Sequence, residues 1–169
     1  FGVRIVQVDL FSWEIARRGT LQTVRFDDAD KLALDTEHSP GVLGATRHAG
    51  SLYMALDPAN KRPVVTLRSR AGADAARQAT DAPPMLVESR WQLSGLERTE
   101  CGFGITARGY GPGDMTWQTA PRRGYQVRTE RDGAVLSEET RWADADGLFR
   151  IRLAGEAIEP LTVRFQCHE

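Results

Sequence analysis

The strongest constraint on this chain is an alternation of apolar and polar residues with a period of two. In residues 148–153, Phe149, Ile151 and Leu153 alternate with two arginines. Such a pattern predicts a β-strand with one face in a core and the other in water. The same alternation recurs in residues 51–57, 63–69, 85–93, 101–108 and 161–168. The sequence therefore predicts an all-β protein.

Turn residues separate these segments roughly every 8–14 positions, which is the spacing of an all-β sandwich. Asp57-Pro58-Ala59-Asn60 has the composition of a hairpin loop between the strands at 51–57 and 63–69. Residues 110–114 form a Gly/Pro loop, and residues 131–133 and 144–147 place glycine where a turn needs a positive φ. We expect an antiparallel β-sandwich, jelly-roll or immunoglobulin-like, with little helix.

The first strands are harder to assign. Residues 11–15 alternate like a strand, but residues 9–18 followed by Gly19 also suit a short helix with a glycine cap. We favour the strand, because residues 20–26 would then return antiparallel to it.

The domain organisation has two readings. Residues 71–80 are rich in alanine but have no apolar face, and two prolines follow, which indicates a loop or linker. We expect one β-sandwich unit over residues 1–169. It would be divisible into N-terminal strands at 1–70, a loop or linker at 71–84 and an immunoglobulin-sized half at 85–169.

The charge balance argues against some partners. The chain carries 22 basic and 23 acidic residues, and its formal net charge is −1. We therefore expect no nucleic-acid partner, because such binding depends on neutralising phosphates. We also expect no membrane span, since no apolar run approaches the roughly 20 residues required. The chain begins with Phe-Gly rather than Met, so it is expected to be a mature form or part of a larger protein.

The two cysteines, Cys101 and Cys167, both fall on the predicted inward faces of strands. Two cysteines cannot close a structural zinc site by themselves. They are either two buried thiols or one disulfide, and we favour the disulfide. In an exported protein, a bond closing so long a loop would contribute about 4 kcal/mol in the chain-entropy model. We expect a periplasmic or extracellular location.

Metal sites and catalytic centres are weakly indicated. His38 and His48, with Asp35 and Glu37 nearby, could hold a metal, but solvated loop histidines are the favoured interpretation. Calcium is a second option at acidic turns, although aspartate also builds ordinary turns. Those turns contain Asp27, Asp28 and Asp30, and Asp144 and Asp146. No nucleophile elbow or phosphate-binding loop is present, so we expect no cofactor, no metal and no catalytic residue.

The aromatic residues are the best ligand candidates. A sugar ring has an apolar face of C–H groups, on which a flat exposed aromatic ring can stack. Trp91 and Tyr125 share faces with apolar neighbours and are predicted to be core. The candidate ligand contacts are Tyr53, Tyr110, Trp117 and Trp142, which lie at outward, loop or turn-flanking positions.

Three stretches resemble the β-sandwich accessory modules of bacterial polysaccharide-processing enzymes. They are residues 50–57 (GSLYMALD), 84–88 (PMLVE) and 143–153 (ADADGLFRIRL), the last similar to strand-turn-strand endings in such modules. The resemblance implies a β-sandwich, export and a supporting role in glycan processing. It carries over no catalytic residue.

We consider three functions. The leading hypothesis is a non-catalytic β-sandwich module that binds a glycan or polysaccharide, or that supports the catalytic domain of a larger parent protein. The second is a β-sandwich lyase or hydrolase acting on acidic glycans, with Tyr110 or His48 acting beside arginine. The third is a structural or assembly domain that contacts a protein partner through a sheet edge.

Overall fold

Antiparallel β-strands form nearly all of the secondary structure. The computed structural model describes residues 3–9, 12–17, 22–71, 84–99, 101–153 and 157–168, and within them the backbone forms fifteen strands. The strands assemble into four antiparallel sheets. The predicted all-β, antiparallel sandwich class with little helix is confirmed.

The chain divides into two compact units, residues 1–85 and 86–169. The boundary lies at the start of a strand rather than in a loop. Most of the predicted linker at 71–84 lies outside the described residues, which resume at Pro84.

The first unit contains two sheets. Four strands form one of them in the order β1-β2-β7-β4, and three form the other in the order β3-β6-β5. The strands are β1 Val3–Asp9, β2 Ser12–Arg17, β3 Thr23–Phe26, β4 Leu32–Leu34, β5 Val42–His48, β6 Ser51–Leu56 and β7 Val64–Ser69. Ile15 and Val65 from the first sheet share one buried cluster with Met54 and Leu56 from the second. The apolar faces of the two sheets therefore form a common core, as a sandwich requires.

The second unit also pairs two sheets. Five strands form one in the order β13-β12-β15-β10-β9, and three form the other in the order β14-β11-β8. The strands are β8 Met85–Ser89, β9 Gln92–Thr99, β10 Gly102–Gly109, β11 Gly113–Gln118, β12 Gly124–Arg131, β13 Ala134–Trp142, β14 Leu148–Leu153 and β15 Ala157–His168.

Aromatic residues hold the two sheets of the second unit together. Phe103 stacks on Phe165 within the larger sheet, with ring centroids 4.1 Å apart. Trp117 of the smaller sheet packs against Phe103 at 4.8 Å, and Phe149 packs against Tyr125 at 5.1 Å. Such ring pairs add to the stabilisation that burial alone provides. The prediction that Trp91 and Tyr125 are core residues is confirmed.

The predicted hairpin around residues 57–60 is wrong. β6 pairs with β3 and β5, whereas β7 pairs with β2 and β4. The segment therefore carries the chain from one sheet of the first unit to the other. Both edges of β6 are occupied by other strands, so β7 has no place beside it.

Two further strand predictions need correction. The strand at residues 11–15 is confirmed from Ser12 onward, but residues 23–26 pair with β6 rather than returning along β2. The predicted strand at 85–93 is two strands. The hydroxyl of Ser89 accepts a hydrogen bond from the Trp91 N–H at 3.1 Å and donates to the Trp91 carbonyl at 2.7 Å. This local turn takes the chain from the smaller sheet into the larger one.

The two predicted glycine turns are present. Asp132 and Gly133 both have positive φ, 49° and 81°, in the turn that joins β12 to β13. Gly147 has φ 79° in the turn before β14. Within the described part of the chain, no helix has the length and apolar character needed to cross a bilayer.

Candidate functional site

The structure removes Trp117 from the ligand candidates. Its side chain is 0% exposed, and it packs against Phe103 and Phe165 between the two sheets of the second unit. No ligand could stack on a ring in this position. The prediction that Trp117 contacts a ligand is therefore wrong, because strand β11 turns its odd-numbered residues, Met115 and Trp117, towards the core.

Tyr53 lies in the first unit, apart from the other candidates along the chain. It is half-buried on β6, and the guanidinium carbon of Arg25 lies 5.8 Å from its ring centroid. This is cation–π distance. Since Arg25 also holds Asp27 through a 2.6 Å hydrogen bond, the ring is part of a local side-chain cluster.

Tyr110 and Trp142 are exposed but lie at opposite ends of the large sheet of the second unit. Tyr110 is 77% exposed and follows the last residue of β10. Trp142 belongs to the row that contains Gly124 and His168, beside the first residues of β10. Eight residues of β10 separate the two ends, roughly 25 Å along the strand. One small ligand could not contact both rings.

The loop that carries Tyr110 rests on Trp91. A Cβ atom at Gly109 would lie 2.5 Å from the indole of Trp91, and one at Gly113 would lie 2.4 Å from it. Glycine is therefore required on both sides of the loop. The buried ring of Trp91 therefore packs against both ends of the loop that carries Tyr110.

Trp142 forms a flat aromatic surface on the outer face of the five-stranded sheet. It is 60% exposed, and the strand pairing places it directly opposite Gly124, which in turn lies opposite His168. A Cβ at Gly124 would lie 2.9 Å from the six-membered ring of Trp142. The indole therefore lies across the glycine and meets the imidazole of His168 edge-on, with centroids 5.7 Å apart.

Polar side chains continue this face along the strands. The next row contains Thr140, Gln126 and Gln166, all exposed, so amide and hydroxyl groups adjoin the indole. Gln126 donates a hydrogen bond to Glu138. We call the surface formed by Trp142, His168, Thr140, Gln126 and Gln166 the Trp142 face.

The side chains at the opposite end of the same outer face form ion pairs with one another. Glu130 accepts from Arg128 at 2.7 Å and from Arg164 at 3.3 Å. These three side chains pair with one another, whereas Gln126 and Gln166 near Trp142 are exposed amides, of which Gln126 has one hydrogen bond, to Glu138. The hydrogen-bonding groups available to a ligand are therefore concentrated beside the indole.

A disulfide joins Cys101 to Cys167 next to the Trp142 face, as predicted. Cys167 lies opposite Tyr125, in the row adjoining that of Gly124 and His168, and its N–H donates to the Cys101 carbonyl at 3.3 Å. One detail of the prediction was wrong. Cys101 is exposed and precedes β10, because the strand begins only at Gly102, and Cys167 is half-buried. The bond joins the end of β15, which carries His168, to the residue that precedes β10.

The group of residues considered as a less favoured metal site comes together only in part. Among the described residues, Asp35, Glu37 and His38 bring ligand atoms within 4.8 Å of one another, and His48 is not a member of this group. The buried Asp35 carboxylate already contacts His38 Nδ1 at 3.1 Å and lies 4.0 Å from Arg68. Its oxygens are therefore engaged by protein groups.

The acidic turns also use their carboxylates for the fold. Asp27 accepts hydrogen bonds from the Ser51 hydroxyl at 2.7 Å and from Arg25 at 2.6 Å. The Ser51 bond, followed by the Arg25 bond, lowers the pKa of Asp27. Asp144 accepts from the backbone N–H groups of Asp146 and Leu148, at 2.9 and 2.8 Å. These contacts are those of turn-building aspartates.

Sequence reasoning identified Trp142 but missed His168, Gln126 and Gln166. They occupy polar positions of alternating strands, which was visible in the sequence. The three strands that bring them beside Trp142 are distant in sequence, however, and their pairing could not be deduced from the pattern.

No protein-family model, curated protein or solved structure matches this chain. The resemblance to accessory modules of polysaccharide-processing enzymes therefore stays a prediction, and function has to be argued from the site itself.

Proposed function

We propose that this protein is a non-catalytic β-sandwich module that binds carbohydrate through the Trp142 face. One observation carries the proposal: a 60% exposed indole lies flat across Gly124 on a sheet face whose neighbouring groups are amides, a hydroxyl and an imidazole. An exposed tryptophan held flat in this way offers an apolar surface beside hydrogen-bonding groups.

The chemistry of this face complements a sugar ring. The C–H face of a pyranose would cover the indole and remove apolar surface from water. The ring hydroxyls would exchange hydrogen bonds with Gln126, Gln166 and Thr140, whose side chains supply both donors and acceptors. Because the face is open and flat, it buries little of a ligand, and we expect modest affinity for each site.

The proposal extends to the setting of the protein. A disulfide persists in oxidising compartments, which supports export to the periplasm or the extracellular space. Together with the resemblance noted above, this favours a role beside a polysaccharide-active catalytic domain. The lyase and assembly alternatives stay untested predictions.

A glycan array followed by isothermal titration calorimetry tests the proposal. We expect a bound oligosaccharide whose affinity falls at least tenfold in Trp142→Ala. The matched control is Tyr110→Ala, which removes another exposed aromatic ring at the other end of the same sheet and should bind as the unmodified protein does. An absence of carbohydrate binding, or an equal loss in both variants, would overturn the proposal.

A further inference from the structure

A groove lined with arginine lies along the three-stranded sheet of the second unit and extends to Arg141 on β13 of the five-stranded sheet. It encloses about 630 Å³, within the range of about 300–1,000 Å³ that small-molecule sites occupy. The charged residues that line it are Arg90, Arg141, Arg150, Arg152, Glu88 and Asp114. Four guanidinium groups thus face two carboxylates.

The strand pattern of β14 places two of the four arginines on the outer face of the three-stranded sheet. Phe149, Ile151 and Leu153 of β14 are buried, so Arg150 and Arg152 between them point outward. Across the sheet, Arg150 lies opposite Thr116 and Arg152 lies opposite Asp114. The Nε of Arg150 donates to the hydroxyl of the buried Thr116 at 3.3 Å, which anchors its guanidinium.

The groove retains positive charge that its own residues do not neutralise. Arg152 lies 3.8 Å from Asp114 and Arg141 lies 3.0 Å from Glu139, and all four groups are substantially exposed. Such exposed pairs are worth little and can rearrange for a ligand. In the part of the chain that the structure describes, no carboxylate lies within 4 Å of the guanidinium of Arg90 or Arg150.

We propose that this groove binds the carboxylate groups of a uronate-containing polysaccharide. The planar guanidinium fork matches a carboxylate with two parallel hydrogen bonds, which makes arginine well suited to such groups. Arg150 and Arg90 would hold the carboxylates. The proposal does not depend on the Trp142 face. Arg141 of the groove precedes Trp142 on β13, but successive residues of a strand point to opposite sides of its sheet.

The two acidic residues of the groove, Glu88 and Asp114, favour a uronate over a nucleic acid as its anionic ligand. Sugar hydroxyls donate hydrogen bonds, so Glu88 and Asp114 would accept them while the arginines bind the carboxylates. A nucleic-acid backbone presents only acceptors and negative charge at its phosphates, which these carboxylates would repel. The mixture of signs in the groove therefore favours the acidic glycan.

Calorimetric titration with an oligogalacturonate of defined length is the test. We expect binding that weakens as salt rises from 20 to about 150 mM, since exposed charges are screened. A neutral oligosaccharide of similar size should not bind in the groove. Arg150→Gln and Arg90→Gln should each lower oligogalacturonate affinity about tenfold or more. Arg108→Gln, which removes an exposed arginine outside the groove, should leave the affinity unchanged.

Several outcomes would overturn the proposal. They are an oligogalacturonate affinity that both groove variants leave unchanged, no binding at low salt, and equal or tighter binding of a DNA oligonucleotide of the same charge.

The Trp142→Ala variant distinguishes the groove from the Trp142 face. It should lower the neutral-glycan affinity at least tenfold while leaving oligogalacturonate binding intact, and loss of oligogalacturonate binding would overturn the assignment of the uronate to the groove. Thermal melts of each variant confirm that the fold is retained.

Discussion

Trp142 lies across Gly124, its direct partner in the pairing of β12 with β13, and the glycine has no side chain to lift the indole. Any Cβ at this position would lie within 3.0 Å of several ring atoms. The absence of a side chain at Gly124 therefore allows the indole of Trp142 to lie against the sheet, in the position on which the proposed sugar contact depends.

Gly124→Ala should change the position of Trp142 without unfolding the sheet. Gly124 has no positive φ, so only the contact with the indole opposes a methyl group. We expect a shifted tryptophan fluorescence maximum and a severalfold weaker carbohydrate affinity. Gly104→Ala is the control, because a Cβ there would approach other atoms no closer than 3.9 Å. Unchanged fluorescence and affinity in Gly124→Ala would show that the glycine does not position the ring.

Substitution of Trp117 and of Trp142 by alanine should lower the stability of the second unit by very different amounts. Trp117→Ala removes a fully buried ring and should lower the free energy of unfolding by about 3–5 kcal/mol. Trp142→Ala removes an exposed ring and should cost less than about 1 kcal/mol. Urea denaturation followed by circular dichroism measures both. Similar losses of stability would contradict the assignment of Trp117 to the core and Trp142 to the surface.

The disulfide should stabilise the second unit mainly by restricting its unfolded chain. The bonded cysteines are 66 residues apart, for which the chain-entropy model gives about 4 kcal/mol. Cys101→Ser/Cys167→Ser should lose roughly this amount in urea denaturation. A reducing agent should destabilise the unmodified protein by a similar amount and have no effect on the double variant. A double variant as stable as the parent would rule out this role.

Asp27 should make the first unit sensitive to acid. Hydrogen bonds from Ser51 and then Arg25 lower the pKa of Asp27 below its unfolded value. The carboxylate therefore stabilises the fold above about pH 4, and this contribution is lost as pH falls through the folded pKa.

Comparison of acid titrations tests this linkage. Asp27→Asn should be less stable at neutral pH and should lose less stability than the parent between about pH 5 and pH 2. Ser51→Ala, which removes the hydroxyl that donates to Asp27, should change the acid curve in the same direction. If Asp27→Asn and the parent lose stability in parallel, the hydrogen bonds of Asp27 do not contribute to acid sensitivity.

The alternation of apolar and polar residues by itself determined that the protein is built of β-strands and which side chains share a strand face. Phe149, Ile151 and Leu153 had to face a core once the segment was a strand, because successive side chains point to opposite sides. Turn residues such as Asp132-Gly133 marked where strands ended, since few other residues adopt their backbone angles. The number of cysteines left a Cys101–Cys167 disulfide or two free thiols as alternatives, and the structure shows the disulfide.

Only the tertiary structure decided which strands are neighbours. Periodicity assigns a residue to one of two faces but does not say which face is inside, and so Trp117 was named as a candidate ligand contact although its side chain is buried. It also contains no information on partners distant in sequence, which is why β6 and β7 were wrongly joined as a hairpin. The Trp142 face and the arginine groove each combine residues from several strands. Their existence depends on hydrogen-bonded pairing across the sheet, which local sequence does not encode.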